Sequence, residues 1–195
     1  MAELFLNVLP ISVLCGVIYG IYRFYKCKTL NLPFKIKDES LRILFTVYLA
    51  GLFNLTLVPQ NFWSDFWFYL KYGYIGETLN PFFTGGYNFI PIFIKCLMGQ
   101  IETGSWVITM LIGNLLMFFP YGVFVYLLSG KLKFKNTLFI SLVIPMFIEV
   151  LQPIIGRSCD IDDFLLNALG ILLGYYFTSV VFSLYKKLKK HGGTN

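Results

Sequence analysis

The sequence predicts an all-α polytopic membrane protein of about five transmembrane helices with an aromatic-rich outer loop. Three observations predict it. Of its 195 residues, 57% are hydrophobic and 13% charged, against roughly 45–50% and 25% in soluble domains, and the mean hydropathy is +0.70. Five apolar stretches approach the about 20 residues that cross about 30 Å of hydrocarbon. The basic residues alternate between connections as they do in membrane proteins. One compact domain is expected over residues 1–190, followed by the polar tail 191–195.

The first stretch, about Leu4 to Tyr22, has no basic n-region and no A-x-A site, so it reads as a retained helix. A four-span alternative lays it on the membrane surface and leaves the later loops unchanged. The second stretch runs from Leu41 to Val58, the third from Trp106 to Leu128, and the fourth, the shortest, from Thr137 to Leu151. The fifth runs from Phe164 to Tyr185. Between the second and third, residues 59–105 carry Phe62, Trp63, Phe66, Trp67, Phe68, Tyr69, Tyr72, Tyr74, Phe82, Phe83, Tyr87 and Phe89. So apolar a connection is expected to lie on the outer leaflet or re-enter it; the alternative is an aromatic belt with no ligand role. Pro91, Pro120, Pro145 and Pro153 are expected to interrupt or end apolar helices.

Thirteen of the 16 basic residues fall in the first connection (Arg23, Lys26, Lys28, Lys35, Lys37, Arg42), the third (Lys131, Lys133, Lys135) and the tail (Lys186, Lys187, Lys189, Lys190). The others hold Lys71, Lys95 and Arg157. The positive-inside rule then puts the N-terminus outside and the C-terminus in the cytoplasm. The net charge of +6 thus reports orientation, and nothing points to nucleic acid. Four cysteines at 15, 27, 96 and 159 are scattered singly, and the one histidine, His191, sits in the tail. No zinc site, histidine-activated nucleophile or cofactor is expected.

Residues 149–174 gather Glu149, Gln152, Arg157, Asp160, Asp162, Asp163 and Asn167 around the fourth and fifth stretches. A charge at the centre of an inserted helix costs about 2.5–3.5 kcal/mol and persists there mainly for pairing or function. Glu149 lies about 18 Å of helix rise beyond Thr137, in the outer hydrocarbon. With Gln152 it shares one helix face, and Arg157 is its expected counter-charge, or that of the aspartates. Asp163, Asn167, Gly170 and Gly174 form one stripe of the last helix, where Gly170-x-x-x-Gly174 is expected to pack closely on the fourth. Asp162 or Asp163 is equally read as an N-cap, and Asn54, Asn114 and Asn167 as hydrogen-bonding glue between helices.

The chain resembles the VanZ-like family of small bacterial membrane proteins, whose founding member is associated with resistance to the lipoglycopeptide teicoplanin. The motifs are NLTLVP at 54–59, NFIPI at 88–92, GNLLMFFPYG at 113–122 and E-x-x-Q-x-x-x-x-R-x-x-D-x-x-D-x-x-x-N-x-x-G-x-x-x-G at 149–174. The second departs from the NLIPF form by apolar exchange. The family-like core covers about residues 50–178. The resemblance implies site residues Asn88, Asn114, Glu149, Gln152, Arg157, Asp160, Asp163 and Asn167, and a bacterial cell membrane location.

It further implies reduced susceptibility to teicoplanin-type drugs. The expected mechanism is binding of the drug, or of a lipid-linked cell-wall intermediate, through its head group in an outer polar pocket, with membrane lipid as neighbour. Two alternatives stand beside it. One is a membrane-embedded hydrolase or transferase using Glu149 and an aspartate on a lipid-linked substrate. The other is an adaptor subunit docking a partner protein through Gly170 and Gly174.

Overall fold

The computed structural model describes residues 2–59, 62–73, 83–99 and 104–191. Five of its helices are long and apolar enough to cross a bilayer: Val8–Thr29, Ile36–Leu57, Val107–Ser129, Phe134–Ile155 and Ile161–Lys189. The burial pattern is that of a membrane protein. Large apolar side chains such as Leu9, Ile18, Phe139 and Phe177 are exposed, while Thr137, Ser141, Glu149 and Asn167 are buried. Apolar surface faces lipid at no cost, so the interior holds the groups that hydrocarbon cannot solvate. The chain divides into two compact units, Met1–Gly86 with Leu151–Arg157, and Tyr87–Val150 with Ser158–Asn195.

In the first unit, α1 (Ala2–Thr29) packs on α2 (Ile36–Leu57). Asn31, in the left-handed region at φ 49°, ends α1. At that end Arg23 donates to both carboxylate oxygens of Glu39, from Nε at 2.7 Å and from Nη2 at 2.5 Å. Helix α2 starts five residues before the apolar stretch that predicts it. Its first turn is polar but bears Asp38 and Glu39, which the positive dipole end favours. After α2 comes α3 (Phe62–Tyr72), whose rings at Phe66, Trp67, Phe68, Tyr69 and Tyr72 are exposed. Residues 74–82, with Tyr74 and Phe82, lie outside the described residues. The unit closes with the 3-10 turn Gln152–Ile155, capped by Gly156 in the left-handed conformation.

The second unit opens with β1 (Tyr87–Asn88) and α4 (Ile92–Leu97), followed by α5 (Ser105–Ser129), α6 (Phe134–Leu151), β2 (Cys159–Asp160) and α7 (Ile161–His191). Strands β1 and β2 pair in parallel, Tyr87 beside Cys159 and Asn88 beside Asp160. Helices α5 and α7 form the core. A Cβ on Gly122 would overlap the carbonyl oxygen of Ile171, and one on Gly170 or Gly174 those of Leu115 and Phe119. The glycine stripe therefore packs on α5 and not on the fourth span, because Gly122 lets both backbones approach from both sides. At the far end, buried Tyr175 accepts from the N–H of Leu132 at 2.5 Å and donates to the carbonyl of Gly130 at 3.3 Å.

Pro120 and Pro145 lie inside α5 and α6, as expected. Pro91 and Pro153 instead start helical turns, at the N-cap of α4 and the first turn of the 3-10 segment, where a missing N–H is harmless. Helix α7 continues through His191, the first residue of the expected tail; residues 192–195 lie outside the described residues.

Candidate functional site

Most of the predicted polar residues fall in the second unit, and Asn88, Glu149 and Asp160 there join one hydrogen-bonded network. The parallel pairing of β1 and β2 sets Asn88 against Asp160, and the Asn88 amide donates to Asp160 Oδ2 at 2.8 Å. Asn88 Oδ1 in turn accepts from Lys95 Nζ on α4 at 2.6 Å. From the other side, the Asp160 N–H donates to Glu149 Oε2 at the end of α6, at 3.0 Å. Asp160 Oδ1 accepts the N–H of Asp162 at 2.9 Å, which makes Asp160 the N-cap of α7. Asp162 and Asp163, both expected as that cap, are used otherwise. The buried Asp162 accepts the Ile92 N–H at 2.8 Å, and Asp163 accepts from the Asn114 amide on α5.

The network thus draws α4, α6, α7 and the strand pair together around Glu149, Asp160, Asp162 and Lys95, and the Asn114–Asp163 bond ties α5 to α7. Glu149 and Asp162 are deeply buried, at 3% and 7% exposure. Asn167 is also buried, and its Oδ1 has no hydrogen-bond partner among the described residues, so the expected bond across its helix seam is not formed by that atom. Cys159 sits beside the network. Burial pushes its thiol up, and the Glu149 and Asp160 carboxylates add to the rise.

Gln152 and Arg157 belong to the first unit, where they face the end of α2. Arg157 Nη1 donates to the Leu55 carbonyl at 2.6 Å, and Gln152 reaches that of Thr56 over 3.5 Å. Beside them the Asn54 amide donates to Ala50, and its Oδ1 accepts from the indole N–H of Trp63, each at 2.7 Å. Asn54 is thus a clasp between α2 and α3. Gly85 presses on the same turn: a Cβ there would overlap the carbonyl oxygen of Arg157.

Sequence reasoning missed Lys95 and underused Asp162. Lys95 stands seven residues after Asn88, in a connection with few other cations, and that scarcity was the available signal. The role of Asp162 depends on a bond to Ile92, 70 positions away, for which the sequence holds no sign.

Fold and site together define a multi-pass membrane protein with an acidic, hydrogen-bonded network held at the ends of its helices. The chain belongs to the VanZ/LLP1 family, whose model matches residues 33–183. No match was found among curated proteins or among solved structures.

Proposed function

We propose that this VanZ/LLP1 family member lowers susceptibility to teicoplanin-type lipoglycopeptides by binding a polar head group at the network of the second unit. The distribution of basic residues supports an orientation with the N-terminus outside, which puts this network toward the outer leaflet. The observation that carries the reading is the continuous run from Lys95 through Asn88 and Asp160 to Glu149. Polar side chains from four chain segments meet beside apolar spanning helices, where ionisable groups mark function by default.

Carboxylates outnumber the one lysine there, so the matching ligand offers donors: amines, amides and hydroxyls, such as those of a glycosylated peptide or of a lipid-linked cell-wall precursor. Its acyl or prenyl chain would stay in the bilayer. Asp163 and Asn114 bond to each other at the start of α7, and Asn167 lies one turn further along that helix. Gln152 and Arg157 serve as positioning residues that hold their turn on the carbonyls of α2.

The test is growth inhibition by teicoplanin and by vancomycin in strains lacking or overproducing the protein. Overproduction should raise the teicoplanin concentration needed to stop growth, and Asn88→Ala or Asp160→Asn should abolish the rise while the protein still reaches the membrane. Unchanged inhibition in both strains would sink the reading. Orientation is checked separately with a membrane-impermeant maleimide: cysteine should label in intact cells at position 158 and not at position 133.

A further inference from the structure

A cavity of about 410 Å³ opens between the end of α1 and the start of α2, and it belongs to neither the network above nor its helices. Its walls carry Arg23, Lys26, Lys35 and Arg42 against Asp38 and Glu39, a formal excess of two positive charges. Of the two carboxylates, Glu39 is spent on arginine and Asp38 is left to offset one lysine, so the cavity keeps a positive excess. Both oxygens of Glu39, a side chain only 6% exposed, are held by Arg23 at 2.7 and 2.5 Å. Arg42 makes a longer ion pair with Glu39 at 3.5 Å and is 44% exposed, which leaves its other N–H groups open, while Lys26 and Lys35 form no ion pair among the described residues. Lys26 is instead steered over the Tyr22 ring, 5.5 Å from its centroid.

Leu32 lines this cavity and also a second one of about 390 Å³, whose other walls include Phe24, Cys27 and Phe34. A cationic chamber therefore adjoins one that sets the apolar side chains of Phe24, Leu32 and Phe34 beside Lys28 and Asn31, at one end of a helical hairpin. That pairing matches an anionic headgroup joined to acyl chains, whereas a free anion would have no use for the apolar half. Basic hollows between spanning helices on the cytoplasmic side are suited to such lipids.

We propose that the cavity between α1 and α2 binds the phosphate of an anionic phospholipid, with Lys26, Lys35 and Arg42 as its donors and Leu32, Phe24 and Phe34 beside its glycerol and upper chains. Arg23 and Glu39 form the fixed wall. The proposal shares no residue with the head-group reading for the second unit, and the two rest on the same orientation with the N-terminus outside. A lipid there would tie the first hairpin to one leaflet.

The experiment is native mass spectrometry of the full chain released from detergent and titrated with phosphatidylglycerol or phosphatidylcholine. Phosphatidylglycerol should bind in preference, and Lys26→Gln/Lys35→Gln/Arg42→Gln should weaken it about 100-fold, near a factor of five per basic residue. The control Lys186→Gln/Lys187→Gln/Lys189→Gln removes the same charge elsewhere and should bind as the parent does. Equal binding of both lipids by the parent, or equal weakening in the two triple variants, would overturn the site. Displacement by millimolar inorganic phosphate or glycerol phosphate would overturn its assignment to lipid. The headgroup preference of the parent is decisive even if the first triple variant does not fold.

Discussion

The α1–α2 pair of the first unit and the α5–α7 pair of the second both place glycine at the contact, yet they differ in what the glycine meets. Gly16 and Gly20 face side chains, the Val47 and Ile43 methyl groups. A rotamer change can make room there. Gly122, Gly170 and Gly174 face the carbonyls of Ile171, Leu115 and Phe119, which move only if a whole helix moves. The polar links divide in the same way: a doubly bonded ion pair, Arg23–Glu39, in the first unit, and an amide–carboxylate bond, Asn114–Asp163, in the second. A seam made by side chains can drift in sequence. One made backbone to backbone is rigid, and the candidate site is built at its end.

The largest effect is expected from forcing bulk into the rigid seam. Overpacking costs about 1–3 kcal/mol and sometimes more, and backbone neighbours put Gly174→Leu and Gly122→Leu at the upper end. Both should fail to give monodisperse protein in detergent; a thermal midpoint near that of the parent would erase the distinction between the seams. Next in order is Glu39→Gln, which leaves the Arg23 guanidinium beside a neutral amide. It should lower the thermal midpoint clearly more than Arg42→Gln does, and equal losses would show that the two arginines share the carboxylate evenly.

A smaller loss of about 1 kcal/mol is expected for Asn114→Leu, since hydrogen bonds between membrane helices average about 0.6 kcal/mol and reach about 1–2. A double-mutant cycle with Asp163→Ala in detergent should return a coupling of that size, and zero coupling would remove the bond from the seam. Near the bottom of the scale, Gly20→Ala should change stability by less than about 0.5 kcal/mol, because Ile43 Cδ1, 3.3 Å from the new methyl, is the end of a flexible side chain. A loss as large as that of Gly174→Leu would show that the first seam is equally rigid.

The finest probe is electrostatic. The Cys159 thiol is pushed up by burial and then by Glu149 and Asp160, so less thiolate is present at neutral pH than in an ordinary cysteine. In a protein with the other three cysteines replaced by serine, maleimide should react slowly at neutral pH and faster as pH rises. Glu149→Gln removes a negative neighbour and should speed labelling at fixed pH; an unchanged rate would mean that the carboxylate does not act on the thiol.

The five spans were legible because hydropathy is a property of each stretch alone. Their ends were less so: α2 begins at Ile36 and α7 at Ile161, each with a polar first turn that hydropathy does not count. In the site, the E-x-x-Q to G-x-x-x-G run held no sign that Gln152 and Arg157 bond to α2 while Glu149 bonds to Asp160. Asn88 needed the β1–β2 pairing to reach Asp160, and a strand of two residues leaves no periodicity to read. Lys95 entered by the same route.

What the chain determined by itself is that it crosses a membrane about five times, with its basic residues in alternate connections. Composition and order along the chain suffice for that, because each helix satisfies its own backbone and needs only apolar length to insert. Tertiary structure alone decided that the glycine stripe of α7 meets α5, that Asp160 and not its neighbours caps α7, and that Arg23 closes on Glu39. Those outcomes depend on distances of a few ångströms between groups as far apart in the chain as Phe119 and Gly174, and spacing along the chain carries no measure of such distances once a helix has turned back on itself.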